Sequence, residues 1–288
     1  MSQRPLELAS HRELLRRFLA EDVGAGDLTT QATVPKGLRG VGRFVAKAPM
    51  ALAGLSVAIE VFRLLDGNLS ADIKYADGSA LNPGDEPAFI RANAQALLSG
   101  ERVALNLLQR LTGIATLARQ YVQAVAGTAA QIVDTRKTTP GLRALEKYAV
   151  TVGGAANHRR GLDDAILIKE NHIRLAGGIR EALQAAYAHR GKARFIEIEV
   201  TTMEELRQAL EQPPDMILLD NMTPEDVRSA AALVRQRDGK ILLEASGGIT
   251  LANVRAYAEA GANWISVGAL THSAPAADLS FEIELLVD

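Results

Sequence analysis

Short apolar, β-branched runs recur through the second half of the chain: QIVDT (131–135), DAILIKEN (164–171), FIEIEV (195–200), MILLDN (216–221), ILLEAS (241–246) and WISVG (264–268). Between them the spacing is helical, at 140–150, 178–190, 202–212, 223–237 and 250–261. Thr202, Thr223 and Thr250 are placed as N-caps, with Glu205 completing a capping box, and Pro140 is placed in a first turn. Such alternation predicts parallel βαβ units. No dinucleotide glycine fingerprint follows the first strand and no GxxxxGK[ST] occurs. An α/β barrel is therefore preferred to a doubly wound sheet. The strands are too few for a full barrel, which predicts an incomplete one of six or seven strands.

The first half reads differently. Strands are predicted at 40–50 and 86–94, a helix at 52–65, and a long helical stretch over 92–127 with a break at Gly113. This gives an α/β fold in two domains: an N-terminal α/β sandwich over 1–115, and a barrel over 116–269. The tail 270–288 is expected to pack back on the first domain.

Composition narrows the function. Thirty-two basic and thirty-four acidic residues leave a formal charge of −2, so nothing draws nucleic acid to the molecule as a whole, and only 4% of residues are aromatic. The chain has no cysteine, which excludes disulfide scaffolds, thiolate metal sites and cysteine nucleophiles. A charged N-terminal segment without a signal-peptide core, and apolar runs too short to span a bilayer, make a cytoplasmic, membrane-free protein the expectation.

Candidate chemistry sits at the C-terminal ends of the barrel strands. Period-two geometry puts Glu197 and Glu199 on the interior face, with Ile196, Ile198 and Val200 facing the helices. Buried carboxylates need a cation, a metal or a ligand, and an ion pair with Lys169 or Arg136 is the plain structural answer. Between 134 and 174, Arg136, Lys137, Arg143, Lys147, Arg159, Arg160, Lys169 and Arg174 outnumber Asp134, Glu146, Asp163, Asp164 and Glu170, and His158 and His172 join them. The strand-end cations suit a small ligand with several carboxylates or phosphates. Ser246, Gly247 and Gly248 before the Thr250 helix, and Ser266 and Gly268 after the last strand, suit a phosphate. Neither a zinc-ligand spacing nor a nucleophile motif appears, so positioning and electrostatics are expected to carry the chemistry.

The block DTRKTTPGLRALEKYAVTVGGAANHRRGLDDAILIKENHI (134–173) closely resembles the core signature of the quinolinate phosphoribosyltransferase family. EDVGAGDLTT (21–30), GERVALNLLQRLTGIAT (100–116), EASGGI and ISVGALTHSAP (265–275) are similar to the same family; Ala155 departs from it where many relatives carry a third glycine. The resemblance implies transfer of phosphoribosyl from 5-phosphoribosyl-1-pyrophosphate to quinolinate, with decarboxylation to nicotinate mononucleotide, in de novo NAD biosynthesis. It implies magnesium as cofactor, with Glu199 and Asp220 at the metal directly or indirectly. It assigns Arg136, His158, Arg159 and Lys169 to the dicarboxylate, with Lys137 close to both substrates and Thr135 among the substrate-binding residues. Lys137, Lys169, Glu199 and Asp220 become the catalytic set, and Ser246, Gly247, Gly248, Ser266 and Gly268 the donor's phosphate site. It brings Arg102 from a neighbouring subunit, hence a homodimer with shared sites or a larger homo-oligomer. The competing readings are a phosphoribosyltransferase for another aromatic acid and a non-catalytic phosphometabolite-binding barrel. The acids retained beside an anion site speak against the latter.

Overall fold

The computed structural model describes residues 6–237 and 239–286; the ends of the expected domains at 1–5 and 287–288 lie outside them. The described chain divides into two compact units. One comprises residues through Arg119, 139–154 and the chain from Ser273; the other comprises 120–138 and 155–272.

The first unit opens with α1 (Arg12–Val23) and α2 (Leu28–Thr33), the latter capped by Asp27, whose side chain accepts the Thr30 N–H. Then come β1 (Arg39–Ala46), the short β2 (Met50–Ala51), α3 (Leu55–Leu65), β3 (Ser70–Ile73), the short β4 (Ala80–Leu81), β5 (Ala88–Asn93) and α4 (Ala94–Ala124). A four-stranded antiparallel sheet takes its edge strand from the far end of the chain, β12 (Leu279–Leu285), in the order β12-β1-β5-β3. Phe281 on β12 packs tilted against Phe44 and stacks on Phe62, with centroids 4.8 and 5.0 Å away, so the tail supplies core as well as hydrogen bonds.

The remaining elements are β6 (Gln131–Val133), α5 (Arg143–Val152), β7 (Ile166–Ile168), α6 (Glu170–Ala176), α7 (Ile179–Ala188), β8 (Ile196–Val200), α8 (Met203–Ala209), β9 (Met216–Asp220), α9 (Pro224–Arg237), β10 (Leu242–Ser246), α10 (Val254–Ala260), β11 (Trp264–Ser266) and the short α11 (Ala269–His272). Of these α5 belongs to the first unit. The six strands β6-β11-β10-β9-β8-β7 form one parallel sheet in the second unit, the sheet of the incomplete barrel that the periodicity predicts.

Three local expectations are corrected. The long helix runs unbroken through Gly113. A Cβ there would lie 1.9 Å from the Pro275 carbonyl oxygen, so this glycine serves close approach of the returning tail and not helix termination. Pro140 lies before α5, in a turn that Gly141 closes at φ +82°, and not in the helix's first turn. Thr250 is not a cap: α10 begins at Val254, and the Thr250 N–H donates to Asn253 Oδ1 at 2.7 Å. Thr202 and Thr223 do accept from Glu205 and Asp226 as caps should.

Gly113→Ala should cost about 1–3 kcal/mol, because the added methyl collides with main chain that has nowhere to move. Urea unfolding of the two proteins tests this, and equal midpoints would show that the tail yields freely.

Candidate active site

Alternation along the strands sorts the barrel interior into tiers. Ile196, Ile198 and Val200 are fully buried on the outer face of β8, as expected, so Phe195, Glu197 and Glu199 face inward. Register then sets Met216 beside Glu197, Leu218 beside both Glu199 and Glu244, and Glu244 beside Trp264. The lowest tier is apolar: Ala165, Phe195 and Met216 cluster with Trp264. Above it lies a buried polar tier of Glu197, Glu244 and His158, at 0, 1 and 5% exposure. The strand ends above carry Lys169, Glu199, Asp220, Ser246 and Ser266.

In the middle tier, His158 Nε2 lies 3.0 Å from Glu197 Oε2 and 3.1 Å from Glu244 Oε2. Its Nδ1 accepts the Arg159 backbone N–H at 2.7 Å. Burial pulls the ring's pKa down and the two carboxylates pull it up, to about 9. The Arg159 amide opposes a second ring proton, because it needs a lone pair on Nδ1. A hydrogen on Nε2 serves Glu197 Oε2, while Glu244 Oε2 close by has no hydrogen-bond partner. Glu197 is pushed up, to about 7, by burial and then by the like charge of Glu244 beside it. The three groups have ligand atoms within 4.8 Å of one another, but a nitrogen that carries hydrogen offers a metal no lone pair. Both ring nitrogens of His158 are engaged by the protein.

The loop above is tied down residue by residue. Asp134, fully buried, accepts the His158 N–H at 2.9 Å, and its own N–H donates to the Ala156 carbonyl. Arg159 Nη1 donates to the Ala165 carbonyl at 3.0 Å. Asp164 accepts the Arg160 N–H and both Nε and Nη2 of Arg194. Arg159 is 7% exposed; burial first and the charge of Arg136 second hold it below the ordinary guanidinium value, with Glu197 and Asp164 opposing. Arg136 Nε is buried and has no hydrogen-bond partner. Two neighbouring guanidiniums with an unsatisfied buried donor are an arrangement that an anion would complete.

Lys137 is exposed, its carbonyl held by Thr271 Oγ1 at 2.8 Å; a Cβ on Gly268 would come within 3.0 Å of its side chain. Thr135 Oγ1 accepts the Lys137 N–H. Lys169, also exposed, donates to Glu199, so the expected ion pair forms with that glutamate and Glu197 pairs with His158 instead. Asp220 accepts from Asn221, a residue in the left-handed region at φ +55° whose N–H donates to Ser246 O at 2.8 Å. Gly247, at φ +94°, is forced: a Cβ would sit 2.2 Å from Asn221 Oδ1. Ser266 is buried at the end of β11. Arg102 is exposed on α4 of the first unit. Residues that sequence reasoning left without a role are Glu244, Asp134, Asp164 and Thr271. Glu244 was within reach, since it shares strand parity with Ser246.

A parallel α/β barrel with paired arginines and acids at its strand ends defines an enzyme of anionic small molecules. The family models match throughout: quinolinate phosphoribosyl transferase, N-terminal domain, over 27–112 and C-terminal domain over 114–282. The chain belongs to this family. It is 45% identical over 93% of its length to a probable nicotinate-nucleotide pyrophosphorylase [carboxylating] of Synechocystis, covering 91% of that protein. It is 42% identical, over 96% of the chain and 98% of the relative, to the nicotinate-nucleotide pyrophosphorylase [carboxylating] of Mycobacterium leprae. The solved nicotinate-nucleotide pyrophosphorylase of Francisella tularensis superposes with a TM-score of 0.92 at 37% identity, covering 99% of both chains.

The Asp164 clip has a pH signature. Burial would raise its pKa, but Arg194 and the Arg160 N–H together hold it below the usual 3.8. A depressed carboxylate stabilises the fold above its unfolded value and loses that contribution as pH falls through the folded one. Asp164→Asn should therefore cost about 1 kcal/mol at neutral pH, a figure kept small because Arg194 is half exposed. In urea melts taken at falling pH that gap should close below the usual carboxylate range; a constant gap would assign the effect to something other than charge.

Proposed function

We propose that this enzyme transfers phosphoribosyl from 5-phosphoribosyl-1-pyrophosphate to quinolinate and decarboxylates the product to nicotinate mononucleotide, the reaction named by its relatives. The observation that carries the reading is the Arg136 Nε, buried and unpartnered beside the nearly buried Arg159. A pyridine ring with two adjacent carboxylates would supply acceptors to both guanidiniums at once.

In this reading Arg136, Arg159, Lys169 and the Thr135 hydroxyl hold the dicarboxylate, and His158 holds Arg159 from beneath. The ring nitrogen is thereby aimed at the ribose C1. Its lone pair forms the new bond as the C1–oxygen bond breaks and pyrophosphate leaves with the electron pair. The ribosylated nitrogen is cationic. When the C2–carboxylate bond breaks, carbon dioxide departs and the pair left on C2 is stabilised by that charge until C2 takes a proton from water. Lys137, on its glycine-backed turn, is assigned to the space between the ring and the leaving group. Ser246, Gly247, Gly248, Ser266 and Gly268 are assigned to the 5-phosphate, where small residues let the backbone approach. Glu199 and Asp220 are assigned to the ribose and its developing charge.

Magnesium fits the same acids: Glu199 and Asp220 close adjacent strands with hard oxygen donors and no soft ligand beside them. These two residues would hold the ion, and the chemistry it would supply is neutralisation of charge on the pyrophosphate. Arg102, exposed on its helix, is assigned to the site of a second copy in a homodimer. A cytoplasmic setting belongs to the same proposal; among the described residues no helix is long and apolar enough to cross a membrane.

With magnesium and both substrates, purified protein should release carbon dioxide and pyrophosphate in equal amounts; equal turnover of nicotinate would refute the dicarboxylate assignment, and donor binding without turnover would make the protein a binding module. Arg136→Ala should lose about 2–4 kcal/mol of dicarboxylate affinity, read as the Michaelis constant for quinolinate. Neither Arg102→Ala nor Lys169→Ala alone should be active, yet a mixture reassembled from both should regain activity through the one intact shared site; a mixture that stays inactive ends the dimer proposal.

A further inference from the structure

The buried tier of Glu197, Glu244 and His158 is foreign to a packed barrel core. Each carboxylate loses its hydration there, and neither Glu197 Oε1 nor Glu244 Oε2 has a hydrogen-bond partner. An apolar layer of the same volume would stabilise the fold at least as well. What the tier does achieve is a fixed line of contacts upward. We propose that Glu244, acting with Glu197 through His158, is a positioning residue for Arg159 and thereby sets the affinity for the dicarboxylate. The inference rests on the quinolinate reading above and adds to it a pair of acids that touch no substrate.

The chain of contacts is short and each step has one direction. Glu197 Oε2 on β8 takes the Nε2–H of His158 at 3.0 Å, and Glu244 Oε2 on β10, which has no hydrogen-bond partner, stands 3.1 Å from the same nitrogen. With the hydrogen held on Nε2, Nδ1 keeps its lone pair and accepts the Arg159 N–H at 2.7 Å. Asp134 holds the His158 amide, and Ala165 O holds one end of the Arg159 guanidinium. Phe195 and Trp264 meet the imidazole edge-on, both at 5.7 Å, and pack against its sides. Glu197 also faces Arg159 closely enough to favour its charge, against the repulsion from Arg136. Remove the Glu244 oxygen and the ring can turn about its remaining contact, releasing the Arg159 amide. The guanidinium then loses its aim at one substrate, while the loops at 246–248 and 268 that are assigned to the other keep theirs.

The test uses the full-length enzyme and two variants, E244A and E244Q. The alanine removes the oxygen that stands beside Nε2; the glutamine keeps an oxygen at the same reach. In E244A the Michaelis constant for quinolinate should rise about tenfold, while kcat and the Michaelis constant for the phosphoribosyl donor stay within about twofold. E244Q should recover the quinolinate constant to within about threefold of wild type. Equal rises in both constants, or a loss confined to kcat, would overturn the proposal. So would E244Q failing to recover, or a stoichiometric metal present in the wild type and absent from E244A. Should E244A not fold, E244D, which withdraws the oxygen by one methylene, carries the same expectation. The Arg159 backbone N–H resonance gives a readout independent of turnover: it should move in E244A and hold its place in E244Q. A wild type that ignores quinolinate would sink the functional reading, and an unmoved resonance would sink the inference by itself.

Discussion

Everything at the mouth of this barrel depends on keeping two guanidiniums, Arg136 and Arg159, close enough to feel each other's charge. Like charges in a largely buried setting repel, and burial adds a desolvation cost to each. Backbone carbonyls and carboxylates set below and around them make the arrangement stable. Ala165 O takes one end of Arg159, and the Glu197 and Glu244 tier lies beneath it. The barrel thus carries negative charge in the middle and positive charge above it, on an apolar floor. A ligand rich in carboxylate meets donors that are already desolvated and oriented, so little reorganisation remains for the bound state.

The same economy appears in the polypeptide around the site. Lys137 is exposed and has a long, flexible stem, yet its turn is fixed by Thr135 and Thr271 and its side chain lies along Gly268. Asn221 accepts a left-handed conformation so that Gly247 can lie against it. Such backbone positions are costly in isolation and persist where the surrounding hydrogen bonds over-determine them. The first unit shows the structural counterpart: Gly113 is bare because the returning tail lies on the long helix, and Phe281 then closes the core with Phe44 and Phe62.

Much of this was legible beforehand. The six parallel strands announced themselves by β-branched runs, and the inward direction of Glu197 and Glu199 followed from period-two alternation alone. What periodicity could not read was partner choice. Glu199 found the expected Lys169, but Glu197 found His158, a residue from a loop whose path no local pattern encodes. Glu244 stayed hidden because one acid in ILLEAS looks like a strand end until the neighbouring strand's register is known. Gly113 misled for the opposite reason: a glycine in a helical run signals weakness locally, and only the tail, far away in sequence, explains it. Strand β3, with every residue exposed, carries no hydrophobic alternation to detect.

The tiering also bears on how one site could serve two chemical steps. Glycosyl transfer needs the ring nitrogen aimed at C1, and decarboxylation needs the departing carboxylate to shed its charge as carbon dioxide. Donors that gripped that carboxylate too tightly would hold it in its charged form and resist the second step. Arg159 stands among opposing influences, disfavoured by burial and Arg136 and favoured by Glu197 and Asp164, so the charge that an anion would meet there is already balanced by the protein. Acids buried beneath an anion site look wasteful by the measure of stability. They make sense where grip must be strong enough to orient the ring and weak enough to release its carboxylate.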